Sequence, residues 1–269
     1  MSGKKELKLR LSFTRVVSAE FFKFRTLKTN TILLAVVFVA IIAFGAMAAS
    51  AASGGIKTPE GGPPISGRSP IDLVLSGANF GVLLLGVLGV LLAAREYASN
   101  MIQVSMAAVP SRLPILWAKL IVFTTWALPA VAAACTIAFF VGTKILSSAQ
   151  VPSVQWTDPN VPRAVLGMAC SLVGFGLIGL TLGMLTRSIA GGLATLLGGV
   201  LILPALAVVL LPESWSSVLK FLPSNASMAF TSTAPPPGML SAGAGAAVFG
   251  LWVVVAIVAS AVVVKLRDV

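Results

Sequence analysis

The run Gly174-Phe175-Gly176-Leu177-Ile178-Gly179 has the spacing with which a strand-to-helix turn cradles the phosphates of a dinucleotide. That chemistry needs a strand before the first glycine and an acid further along, whereas this run lies inside a charge-free apolar stretch, 164–186. Close helix packing is the better reading, and it extends to the pairs Gly179 and Gly183, Gly77 and Gly81, and Gly198 and Gly199. Leu75-Ser76-Gly77 spells the start of a nucleotide-binding signature loop, yet it opens an apolar stretch on the side away from any nucleotide. No Gly-x-x-x-x-Gly-Lys-Ser/Thr loop is present, so nothing in the chain grips ATP phosphates. Histidine is absent, which removes the commonest general base, metal ligand and pH switch. Cys135 and Cys170 lack a second thiol at metal or redox spacing and read as small core residues. No catalytic, metal-binding or cofactor-binding residue is expected.

The charges explain why. All 19 basic and 8 acidic side chains lie outside the centres of six apolar stretches, each about 20 residues or more, the length that crosses a hydrocarbon layer of about 30 Å. A charge at a span centre costs at least about 2.5–3.5 kcal/mol, which membrane proteins accept where ions or protons move. The eight carboxylates sit in loops or at stretch ends, which argues against a proton-coupled carrier, an ion pump or an intramembrane protease. A mean hydropathy of +1.00 leaves no segment for a soluble domain. The expected fold is therefore an all-α integral membrane protein, a single transmembrane domain over 1–269 with six transmembrane helices near 31–52, 73–94, 116–142, 164–186, 189–211 and 241–264. With the amino terminus in the cytoplasm, fourteen of the 19 Lys and Arg fall inside and five outside. That bias places both termini in the cytoplasm of a multi-pass cell-membrane protein. The +11 net charge is then topological, with the lipid bilayer as partner and no nucleic acid. The first stretch is too long for a cleaved signal peptide, although Ala46-Met47-Ala48 resembles a cleavage site.

Residues 9–28 form an amphipathic interfacial helix: Phe13, Val16, Val17, Phe21, Phe24 and Leu27 gather on one arc opposite Arg15, Ser18 and Arg25. Glu20 falls within the apolar arc. It pairs with Lys23 within the helix or meets the inner end of another span, and the pattern leaves both open. The 95–112 segment reads as a short cytoplasmic helix ended by Pro110, with Met101, Ile102, Ser105 and Met106 on one face. On the outer side, 213–222 is too apolar for a linker and too short to span, and reads as an interfacial or re-entrant helix. Pro129 and Pro204 predict kinks inside spans three and five, more of static shape than of hinging.

In this order, two stretches resemble the membrane subunit of an ABC-2 type transporter of the short actinobacterial kind. Arg15-Val16-Val17-Ser18-Ala19-Glu20-Phe21-Phe22-Lys23-Phe24-Arg25 is similar to that family's Arg-x-x-x-Ala-Glu-aromatic-x-Lys-x-Arg leader. Glu96-Tyr97, Ile102, Pro110-Ser111-Arg112 and Ala118-Lys119 resemble its first cytoplasmic loop, with Ala98 and Asn100 departing where relatives often carry a basic residue and a glycine. The resemblance implies a permease subunit of an ATP-driven exporter, not itself an enzyme. A separate ABC ATPase subunit would bind ATP-Mg, and a second permease copy or paralogue would complete the path. It implies ATPase coupling through Glu96, Tyr97, Met101, Ile102, Met106 and Arg112, with Glu20, Lys23 and Arg25 bracing the first span from the interfacial helix. The rival readings are a non-transporting membrane scaffold or immunity protein, a secondary carrier, and an enzyme of lipid metabolism, the last lacking the acid, His or Ser/Lys clusters such chemistry uses.

Overall fold

The computed structural model describes residues 12–55, 69–99, 101, 112–212, 215–233 and 238–266, and the regular structure in them is all helical. Six helices open the chain: α1 Phe13–Thr26, α2 Lys28–Ala52, α3 Pro70–Val74, α4 Ala78–Ala98, α5 Leu113–Ser148 and α6 Val161–Thr186. α7 Ile189–Ala194, a π-helical segment Thr195–Ile202 and α8 Leu203–Leu210 then follow without a break. The short α9 Ser216–Leu219 and α10 Pro223–Thr231 precede α11 Ala242–Leu266. Among these, α2, α4, α5, α6 and α11 are long and apolar enough to cross a membrane.

The stretch expected as span five is helical but divided, and Pro204 supplies the reason. Proline has no N–H, so the carbonyl four residues earlier, on Val200, loses its α-helical donor. The chain takes up the widened π turn just ahead of it, a form that recurs at functional sites. Pro129 has a milder effect, because α5 continues through it for 36 residues. At 1.5 Å per residue α5 is roughly 54 Å long, well past the predicted 116–142 and past a bilayer core.

α4 and α6 lie side by side at the centre, with α2 and α5 against one flank and α10 and α11 against the other. Glycines make the central contact. A Cβ on Gly89 would strike the Gly176 carbonyl, one on Gly179 would strike the Gly86 carbonyl, and one on Gly183 would lie 2.7 Å from the Val90 carbonyl oxygen. Gly77 is pressed in the same way against Ile41 of α2. The expectation fails for Gly198 and Gly199: a Cβ on the first meets no atom within 4 Å, because both lie in the π segment beside open space. It fails for Cys170 too, which is exposed while Cys135 is buried. A thiol is apolar enough to tolerate a lipid-facing position.

The leader is helical only to Thr26. Leu27 is extended (φ −77°, ψ 96°), which ends α1 and lets α2 begin at Lys28. Its apolar arc is split: Phe21 and Phe24 pack on Trp126 of α5, with ring centroids 5.3 and 5.6 Å away, while Phe13 and Leu27 stay exposed. Within 213–222, Glu213 and Ser214 lie outside the described residues and the helix there is only α9. The larger element is α10, which the polar run Ser224, Asn225 and Ser227 disguised as solvated chain. The Asn225 side-chain amide donates to the Leu219 carbonyl at 2.8 Å and the Ser227 hydroxyl donates to that of Ser224 at 2.7 Å. With those groups satisfied, α10 buries Ala226, Ala229 and Phe230.

Candidate functional site

Four charges meet at the leader end of the bundle. Lys119, near the start of α5 and 1% exposed, donates to Glu20 Oε2 at 2.8 Å and to Glu96 Oε1 at 2.7 Å. Lys23 donates to Glu20 Oε1 at 2.8 Å and to the same Glu96 oxygen at 3.2 Å. Both arrangements left open for Glu20 are therefore present together. The four formal charges cancel, so the leader helix is tied to the ends of α4 and α5 by a neutral cluster. Charge is thus buried in this chain after all, and in this cluster each member has an opposite partner, as desolvation requires. Glu96 Oε2 and Asn30 Nδ2 are buried without a hydrogen-bond partner, and both residues line a cavity of about 40 Å³ beside the cluster.

Burial would raise the pKa of Glu20, but the charge and hydrogen bond of Lys119, with those of Lys23, outweigh it and leave the carboxyl below its ordinary value. Burial would lower that of Lys23, but Glu20 and Glu96 outweigh it and raise it. Both shifts keep the groups ionised.

Other expected residues fall differently. Tyr97 does not open a surface helix; α4 runs on to Ala98, and the half-buried ring faces α6, its hydroxyl 4.0 Å from the sulfur of Met184 and the Arg187 guanidinium 5.6 Å from its centroid. Glu96 is in the cluster and also borders the notch beside Met101. Met101 is 55% exposed and borders a notch of about 590 Å³ with Lys23, Leu27, Arg95 and Glu96. Arg112 is half-buried ahead of α5 and Arg25 is exposed in the last turn of α1. Ile102 and Met106 lie outside the described residues. Lys119 was the residue missed as a site. Its signal was a lone lysine between Ala118 and Leu120 in an apolar run, which needs a counter-ion.

The structure opens two further cavities, one at the opposite end and one running along the bundle. One, about 600 Å³, lies among α3, α4, α6 and α10 and is lined by Asp72, Ser76, Asn79, Ser171, Ser227 and Thr231, with Phe175 at its inner limit. Phe175 is 14 residues into α6, about 21 Å from the start of that helix. The other, about 460 Å³, is an apolar groove among α6, the π segment, α8, α9 and α11 that includes Trp215 and Trp252. Between the polar cavity and the charge cluster the glycine contact of α4 and α6 closes the bundle, while the apolar groove runs past that contact as far as Leu185 and Ala259. No group of His, Cys, Asp and Glu that could hold a metal occurs among the described residues.

No family model matches the chain, and no curated protein does.

Proposed function

We propose that the chain is the permease subunit of an ABC-2 type exporter, driven by an ATPase on a separate polypeptide. The run Ile189–Leu210 then counts as a sixth span, the charge cluster lies at the cytoplasmic surface, and the polar cavity opens outward. One observation carries the reading. The two ends of the 95–112 segment are gripped by one cluster, through Glu96 at its start and Lys119 after it, and the cluster also holds the leader helix. A push on that segment would move α4, α5 and α1 as a unit. The four charges all belong to the two stretches that carry the resemblance, and the notch beside Met101 is an adaptable apolar seat for a partner helix.

A secondary carrier gains some support from the buried carboxylates, but their lysine partners weigh against it. A proton carrier needs a group that changes charge, and Glu20 is held ionised by Lys119 and Lys23. The deciding experiment is gentle purification from the native membrane followed by transport in vesicles. Recovery of an ATPase with the chain, and export that stops on ATP depletion, is the expected result. Export driven by an ion gradient without ATP would sink the proposal.

A further inference from the structure

The polar cavity and the apolar groove share their walls residue by residue. On α6 Phe175 lines the polar cavity and Ile178 the groove; on the π segment Leu201 lines the first and Val200 the second; at the start of α10 Ser224 lines the first and Pro223 the second. The groove is also roomy beside the π segment, since Gly199 carries no side chain into it and a Cβ there would approach only Thr195 Cγ2, at 3.9 Å. A hydrogen-bonding cavity and an apolar groove thus adjoin along one edge formed by a broken helix.

The polar side holds unused hydrogen-bonding capacity. Ser171 is 2% exposed and Thr231 7%, both line the cavity, and neither hydroxyl has a hydrogen-bond partner among the described residues. Helical threonines elsewhere, such as Thr124, Thr136, Thr143, Thr181 and Thr186, return their hydroxyls to a carbonyl three or four residues back. Asn79, which is exposed, adds an amide to the cavity wall. Buried hydroxyls left unpartnered, as those of Ser171 and Thr231 are, call for a ligand. Among the described residues no cationic side chain lines the cavity and the one charged wall is Asp72, which disfavours an anionic head there.

We infer that this seam binds an amphiphile, with an uncharged hydroxyl- or amide-bearing head against Ser171, Thr231 and Asn79 and an alkyl chain in the groove beside Trp215 and Trp252. This names the substrate class of the exporter and rests on that reading for its transport role, but the binding itself does not need the ATPase.

The groove tryptophans supply the assay. The full chain in nanodiscs would be titrated with dodecyl glucoside brominated along its chain, and tryptophan quenching followed. Expected is a saturable component above the linear background from bilayer partition, removed by Trp215→Phe with Trp252→Phe. The pair Ser171→Ala and Thr231→Val should weaken its midpoint about tenfold, as two lost hydrogen bonds would. Gly199→Leu, whose Cβ would approach only Thr195 Cγ2, at 3.9 Å, and so should fold, is expected to abolish it. Quenching that stays linear, that ignores these variants, or that is matched by brominated dodecanoate would overturn the inference. Failure here leaves ATPase recovery and ATP-driven export to be judged separately.

Discussion

Lys119 and Glu96 stand 23 positions apart in the chain and 2.7 Å apart in space, closing the 95–112 segment into a loop whose two ends share one buried ion pair. Glu20 on one side and Lys23 on the other extend that pair to the leader helix. The cluster neutralises itself, so removing one member is worse than removing a contact.

Lys119→Met should destabilise the protein by about 3–5 kcal/mol, because Glu20 and Glu96 would then face each other buried with only Lys23 between them. Thermal unfolding in nanodiscs measures this. Adding Glu20→Gln to Lys119→Met should recover part of the loss, and a pair of variants that simply add would show that the charges are independent.

The pH dependence follows from the two shifted groups. Glu20 is lowered from an ordinary 4.5, so its stabilisation is full above that value and disappears as pH falls through the lowered one. Lys23 is raised from 10.5, so its contribution is full below that value and disappears as pH rises beyond the raised one. The unfolding midpoint should therefore be level, as far as these two groups set it, from about pH 5 to 10 and drop in acid. Glu20→Gln should flatten the acid limb; a steady decline between pH 5 and 7 in the parent chain would contradict this account.

Gly179→Val should separate α4 from α6, because its side chain would enter the backbone of Gly86. Gly250→Val serves as the control, since a Cβ there meets nothing within 4 Å. The first variant should lose several degrees of thermal stability, and the second should stay close to the parent. Equal behaviour would remove the close approach as a source of stability.

Met101→Asp tests coupling apart from folding. The side chain is exposed, so membrane insertion and thermal stability should be unchanged, while stimulation of the partner ATPase by the permease falls several-fold. Unaltered stimulation would take the notch beside Met101 out of the proposed interface.

The apolar helices were legible, though not all their lengths, because hydropathy is local: 20 apolar residues with no charge must satisfy their own backbone in lipid, and a helix does so without any neighbour. Amphipathicity in the leader, the odd position of Glu20 and the packing glycines of α4 and α6 were visible for the same reason, each being a matter of spacing along one helix. Partner choice was not. Phe21 and Phe24 could have faced lipid, and Glu20 could have stopped at Lys23; it is the crossing of α1 over α5 that brings in Trp126 and Lys119. Gly198 and Gly199 matched a packing pair in spacing yet face open space, since Pro204 five and six residues on turns that stretch into a π helix. Ser171, Thr231 and Asn79 are unremarkable letters scattered over 153 positions, and they line one cavity because antiparallel and parallel packing of three helices puts distant turns at the same depth. Local periodicity fixes what each segment is; long-range contacts, which depend on the shapes of both partners, fix what it touches.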